Sequence, residues 1–237
     1  MTQHNESDDQ LQGQTNLKLR AAERVLELVK PGMVVGLGSG PTAALWIKLL
    51  GEQVRDGNLA IQAIASSPES EALGRRYGIP FTTIQDCYRL DLTLDDADEI
   101  GPSLALIQGG NGSLLRGKII ASATKKYIVV GDQSKVVSKL GSAPLPVEVV
   151  PMAEPLVSKA LRELGFTPKL RRNKGRTPFI TNEGNCVLDC IGIQIGNPRV
   201  IAAEIDAIVG VVEHGLFVDM TDLALISSGD QIIERTI

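Results

Sequence analysis

Aromatic residues make up only 3% of the 237 residues, and a single tryptophan is among them. The core must therefore rest on Val, Ile, Leu and Ala, within an apolar fraction of 43% that is ordinary for a globular enzyme. Histidine is nearly absent: His4 stands in a polar N-terminal stretch and His214 near the C-terminal end. Two histidines so far apart argue against a histidine base or a multi-histidine metal site. Cysteine is scarce too. Cys87, Cys186 and Cys190 form neither a CxxC pair nor an even set, and residues 1–16 lack the apolar stretch of a signal peptide. A reducing, cytoplasmic location is the expectation. No run reaches the roughly 18 apolar residues of a membrane span, so no membrane partner is expected. The net charge of −4 argues against nucleic acid as well. Neither internal repeats nor low-complexity segments occur.

What is present is an alternation of strand and helix patterns. Residues 1–16 are polar and aperiodic and read as a tail. Apolar residues at helical spacing run from Leu17 to Val29, ended by Pro31-Gly32. MVVGLG (Met33–Gly38) predicts a buried strand, PTAALWIKLLGE (Pro41–Glu52) a helix with proline in its first turn, and LAIQAIASS (Leu59–Ser67) the next strand before a helix through Arg76. IPFTTI and LDLTLDDADEI suggest two further strands, Leu114–Thr124 a helix, and KYIVVGD (Lys126–Asp132) a buried strand. The pattern predicts an α/β fold, a Rossmann-like parallel sheet with helices on both faces. The grammar changes after the proline-punctuated SAPLPVEVVPM (Ser142–Met152) to the order α-β-β-α-β, with VVEHGLFV as the last strand. This predicts a smaller α+β domain over 141–213, with 17–140 and 214–237 forming the larger, substrate-binding one; LALISS returns to the first sheet.

Four constellations stand at places where such folds hold chemistry. GLGSGPT (Gly36–Thr42) joins a strand to a helix start, where backbone N–H groups and the helix dipole favour an anion. A dinucleotide fits it poorly, because Pro41 replaces a required glycine and the following strand ends in Ser66-Ser67 rather than an acid. LTLDDADEI (Leu92–Ile100) brings Asp95, Asp96, Asp98 and Glu99 to a strand's C-terminal end, suited to proton transfer or to Mg²⁺. GGNGSLLRGKII (Gly109–Ile120) offers successive backbone N–H groups to a developing oxyanion, with Gln108, Arg116 and Lys118 around it. Its Gly117 is odd, since glycine inside a helix costs about 1 kcal/mol against alanine. GDQSK (Gly131–Lys135) delivers Lys135 to the same sheet edge. The basic run KLRRNKGR (Lys169–Arg176) lacks interleaved aromatics and reads as a solvated loop.

In this order the segments resemble type A ribose-5-phosphate isomerase from Leu17 to the C-terminus. VGLGSGPT is similar to that family's VGxGTGST phosphate loop, SSPESEAL to SSxxTxxL, LDDADEI to DGADE and GGNGSLLRGKII to GGGxALxREKII. GDQSK, APLPVEVVPMA, TNEGNCVLD and VGVVEHGLF resemble its D-x-SK, PLPVEVxPxA, TDxGNxIxD and PGVVExGLF. The resemblance implies interconversion of ribose 5-phosphate and ribulose 5-phosphate through a cis-enediolate, without cofactor or metal, by a homodimer or homotetramer acting on a phosphorylated pentose. It places Lys18, Ser39, Gly40, Pro41 and Thr42 at the substrate and its phosphate, Asp95 at ring opening, and Asp98 at the sugar hydroxyls. Gly109, Gly110 and Asn111 would stabilise the enediolate, and Lys135 would contact substrate.

Five positions depart from the family pattern. Gly117 stands where the family keeps its proton-shuttling glutamate, Gln108 where it has a lysine, and Asn111 replaces its third glycine. Pro41 replaces a serine of the phosphate loop, and Asp96 replaces the glycine of DGADE. A missing general base costs about 10²–10⁴-fold. Three readings follow: an isomerase with a substitute carboxylate, a sugar-phosphate-binding paralogue without turnover, or an enzyme on another sugar phosphate. Asp96 is the candidate surrogate base in the first, provided the chain has left extended geometry there, because on a strand it faces away from Asp95.

Overall fold

The computed structural model describes residues 18–229 and 231–237; the expected tail at 1–16 lies outside them. In chain order the elements are α1 (18–26), β1 (Val34–Leu37), α2 (Pro41–Arg55), β2 (Gln62–Ala65), α3 (Pro68–Arg76) and β3 (Leu92–Asp96). Then come β4 (Glu99–Ile100), β5 (Leu106–Ile107), α4 (Leu114–Ala123), β6 (Tyr127–Asp132), β7 (Leu145–Val149) and α5 (Glu154–Glu163). The chain ends with β8 (Thr167–Leu170), β9 (Cys186–Ile191), α6 (Pro198–Asp206), β10 (Val211–His214), β11 (Leu216–Phe217), β12 (Leu223–Ser228) and β13 (Gln231–Arg235). Two compact units result. The first runs to Asp96 and takes in Ala123–Ser134 and Asp222–Ile237; the second comprises Ala97–Ser122 and Lys135–Thr221. These bounds differ from those expected: residues 97–122, 135–140 and 214–221 fall in the second unit, because β4, β5 and β11 form a sheet of their own there.

The first unit carries a six-stranded sheet in the order β13-β12-β6-β3-β1-β2. All pairings are parallel except β12–β13, an antiparallel edge not anticipated from the sequence. Its core joins Ala21, Ala22 and Val25 of α1 with Trp46, Ile47 and Leu50 of α2 and with Val35, Leu37, Leu92, Leu94, Ile128 and Leu225 of the strands. Aliphatic strand residues buried in this way explain the near-continuous apolar runs. The order β2-β1-β3-β6 reverses direction between β1 and β3. Such a switch point opens a crevice at the carboxyl ends of the two strands. IPFTTI is not a strand here: only Phe81 bridges to Ala63, and the next residues turn, with Asp86 N–H donating to Thr83.

The second unit carries a four-stranded antiparallel sheet, β10-β7-β9-β8, and a three-stranded one, β11-β5-β4. The run β7-α5-β8-β9-α6-β10 is a split βαβ arrangement. Its core holds Val147, Val149, Val157, Leu161, Phe166, Leu188 and Ile205. Two expectations change. The proline-punctuated boundary contains β7, a central strand in which Pro146 lies opposite Asp189. The single strand expected over VVEHGLFV breaks into β10 and β11 at Gly215, where a Cβ would lie 2.3 Å from the Gln108 carbonyl oxygen.

Ile47 is fully buried beside Trp46, the one tryptophan of the chain. Ile47→Ala should destabilise the first unit by about 2–5 kcal/mol, read as a lower urea midpoint in Trp46 fluorescence. The exposed neighbour variant Lys48→Ala should shift it by less than about 0.5 kcal/mol.

Candidate active site

In the first unit the switch point is filled by the loop after β1 and the end of β3. Gly38 N–H donates to the Leu94 carbonyl at 2.9 Å, extending the β1–β3 ladder by one residue. Asp95, only 2% exposed, then accepts from Ser39 N–H at 3.0 Å and from Asp96 N–H at 3.0 Å on Oδ1, and from the Tyr127 hydroxyl at 3.3 Å on Oδ2. Glycine is required at 38, since a Cβ there would lie 2.3 Å from Asp95 Oδ1. From α3, Ser70 Oγ donates to the Gly38 carbonyl at 2.7 Å, and Ser67 caps the same helix by accepting from Ser70 N–H. The loop is thus held on both sides. Gly40, with φ of 114°, is the N-cap of α2 and supplies no side-chain cap. Pro41 begins that helix and Thr42 is buried in its first turn. Lys18 lies half-buried in the first described turn of α1.

Asp96 remains on the strand, paired in register with Val130. The condition set for its use as a surrogate base, departure from extended geometry, is not met. Its carboxylate instead lies over Gly40, where a Cβ would fall 2.1 Å from Oδ2.

In the second unit Asp98 faces the glycine-rich cradle. Asp98 Oδ2 accepts from Gly110 N–H at 2.8 Å, while Asp98 N–H donates to the Ile107 carbonyl. Gly112 N–H turns back to the Gly109 carbonyl at 2.9 Å, and Asn111 Oδ1 accepts from Ser113 N–H at 3.0 Å. Two of the N–H groups expected to face an oxyanion, those of Gly110 and Gly112, are therefore engaged within the loop. Gly109, with φ of 105°, has no room for a side chain: a Cβ would sit 2.4 Å from that of Leu114. Gln108 is buried, its N–H bonded to the Gly215 carbonyl. The residue that sequence reasoning missed is Arg171. Held by Asp189 through two hydrogen bonds, it donates to the Gly110 carbonyl at 3.0 Å and stacks over Phe179. The run KLRRNKGR is thus only partly a solvated loop; its first two residues belong to β8.

Gly117 is buried in α4, with its N–H bonded to the Ser113 carbonyl. The basic residues beside it were expected around the cradle, and both are committed elsewhere. Arg116 pairs with Glu183. Glu183 belongs to a turn held by Glu148, a fully buried carboxyl that accepts from Thr181 Oγ1 and Asn185 Nδ2 and is pushed up by burial. Lys118 bonds Glu213 at 2.6 Å and the His214 carbonyl at 2.5 Å; burial lowers its pKa and Glu213 partly offsets this. Asp206, Glu213 and His214 place ligand-type atoms within 4.8 Å of one another. The Lys118 ammonium already supplies the positive charge there. Lys135 is half-buried in the short turn that follows β6. Cys87, Cys186 and Cys190 are free thiols.

Residues 62–231 match the family model described as ribose 5-phosphate isomerase A (phosphoriboisomerase A). The chain belongs to this family. A ribose-5-phosphate isomerase A of Roseiflexus sp. (strain RS-1) is 47% identical over 219 residues, covering 91% of the chain and 93% of that relative. The solved ribose 5-phosphate isomerase A of Methanocaldococcus jannaschii superposes with a TM-score of 0.89 at 38% identity, over 94% of this chain and 99% of that one. A D-ribose-5-phosphate isomerase solved in complex with phospho-erythronic acid gives 0.90 at 31% identity, over 94% and 98%. Among the described residues no helix is long and apolar enough to cross a membrane.

His214 is one group of the second unit whose titration bears on stability. Leu216 N–H donates to its Nδ1 at 3.1 Å, and Nε2 lies 3.2 Å from Asp206. Burial, with Lys118 beside it, pushes its pKa down to about 3. Below about pH 6.5 the unfolded chain takes up a proton that the folded chain refuses, so stability is lost on acidification through that window. His214→Asn, which keeps an acceptor for Leu216, should flatten Tm against pH between about 6.5 and about 4. An unchanged slope would count against this account.

Proposed function

We propose that the chain interconverts ribose 5-phosphate and ribulose 5-phosphate. The observation that carries the proposal is membership of the family, with the ribose-5-phosphate isomerase A of Roseiflexus sp. 47% identical over 91% of the chain. The geometry supports a division of labour among the three aspartates. The loop of Ser39, Gly40, Pro41 and Thr42, with Lys18, holds the phosphate on the N-terminus of α2. Asp95 positions that loop, since both of its oxygens are engaged. Asp98 is half-buried and lies against the cradle, so we assign it the proton transfers in place of the vacated position 117. Asp96 is less suited: it lies on the phosphate loop, and the phosphate of the substrate is on C5, three bonds away from C2.

In this mechanism Asp98 takes the proton of the anomeric hydroxyl as the C1–O4 bond breaks and passes it to the departing O4, which opens the ring and returns Asp98 to its carboxylate form. It then removes the proton at C2; the C–H electron pair becomes the C1=C2 bond, and the carbonyl oxygen takes the negative charge. Gln108, Gly109 and Asn111 hold this enediolate, with the Arg171 guanidinium stiffening the loop from its carbonyl side. Return of the proton from Asp98 to C1, and transfer of the O2 hydroxyl proton to the negatively charged O1, leave a ketone at C2 and a hydroxyl at C1. Lys135 contacts the sugar. Oxidation at C2 balances reduction at C1 within one molecule, so no cofactor enters. The proposal extends to a cytoplasmic setting and a homodimer or homotetramer.

Purified protein given ribose 5-phosphate should form ketose well above a protein-free control, and no ketose at high protein concentration would overturn the proposal. Asp98→Asn should lower kcat by about 100-fold or more. Gly117→Glu should raise kcat. Phospho-erythronic acid should compete with ribose 5-phosphate in the same assay.

A further inference from the structure

The carboxylate of Asp96 lies against Gly40, in the loop that follows β1. A Cβ at Gly40 would be 2.1 Å from Asp96 Oδ2 and 2.9 Å from Oδ1. Glycine in an anion-binding turn leaves the backbone open to the ligand. At Gly40 that opening is covered by a carboxylate of the chain itself. The helix has no acidic residue in its own first turn and no side-chain cap, so the carboxylate reaching its N-terminus comes from β3. The strand fixes this placement. Asp96 N–H donates to Asp95 Oδ1 at 3.0 Å and its register partner is Val130, which sets the side chain on the face opposite that of Asp95.

We propose that Asp96 is a specificity-determining residue, an internal anion on the phosphate loop that weakens binding of phosphorylated ligands and raises the substrate concentration at which the chain works. This rests on the reading that the loop seats the phosphate. An incoming phosphate meets one of two costs. If the carboxylate stays, two anions share one helix N-terminus and repel. If it rotates away, it gives up its own favourable place at the positive end of the helix. Either way affinity falls, and the fall is specific to charged ligands.

The test is the binding of inorganic phosphate, followed by calorimetry at low salt, for the natural chain and for Asp96→Asn and Asp96→Gly. Both variants should bind phosphate about tenfold tighter, and KM for ribose 5-phosphate should fall by a similar factor. Affinity for unphosphorylated ribose should stay the same. Equal or weaker phosphate binding by Asp96→Asn overturns the proposal, as does a tightening seen only with Asp96→Gly. An equal change for neutral ribose also overturns it, because that marks a loop rearrangement rather than charge. Phosphate binding by none of the three proteins does so too. The phosphate measurement does not need turnover. If the variants tighten while no ketose forms, the isomerase reading fails and the role of Asp96 stands.

Discussion

The buried carboxylate of Asp95 is the interaction on which the first unit's loop depends. A charge with 2% exposure is tolerable only when its hydrogen-bonding capacity is used, and Asp95 accepts from two backbone N–H groups and a tyrosine hydroxyl. Each donor comes from a different place: the loop after β1, the next residue of β3, and β6. One side chain therefore pins the loop to two neighbouring strands of the sheet. Removing it would leave Ser39 N–H and the Tyr127 hydroxyl without that acceptor, as well as the loop without its anchor. Its close fit also explains the glycine at 38, which is dictated by contact distance rather than by turn type.

The second unit solves the same problem with two charges of opposite sign. Asp98 takes an N–H of the cradle and Arg171 takes carbonyls of Gly109 and Gly110. Gripped from donor and acceptor sides, the loop is held in one arrangement by its own unit. Arg171 is itself oriented by Asp189 and by the ring of Phe179, and that ring also fills the space beside Gly112. The helix behind the cradle is less committed to it. Arg116 and Lys118 spend their charges on Glu183 and on Glu213, so the helix keeps its ion pairs on either side of Gly117.

The parallel sheet, the loop after β1 and the aspartates after β3 were legible because each rests on local pattern: apolar runs, a Gly-Ser-Gly-Pro turn and a strand ending in acids. What was not legible depends on pairing between distant segments. Pro146 suggested a boundary, yet β7 tolerates it in a central position opposite Asp189. VVEHGLFV read as one strand because nothing local reveals that Gly215 packs on the Gln108 carbonyl. Arg171 looked like one charge in a basic run; only the ladder between β8 and β9 shows that Asp189 is near enough to orient it. The direction of Arg116 and Lys118 was hidden for the same reason, since their partners lie 67 and 95 residues away in sequence.

The chain passes between its two units four times, at Asp96–Ala97, Ser122–Ala123, Ser134–Lys135 and Thr221–Asp222. The strand β12, which lies between β6 and β13, belongs to the last of these segments. During synthesis the first unit's sheet stays incomplete, with that edge of β6 unpaired, until β12 leaves the ribosome. The whole second unit is made before the first is finished. Such a chain cannot fold unit by unit in the order of its synthesis. Its β6 edge is a site for mispairing until β12 emerges, and loss of β12 would harm the unit that is begun first.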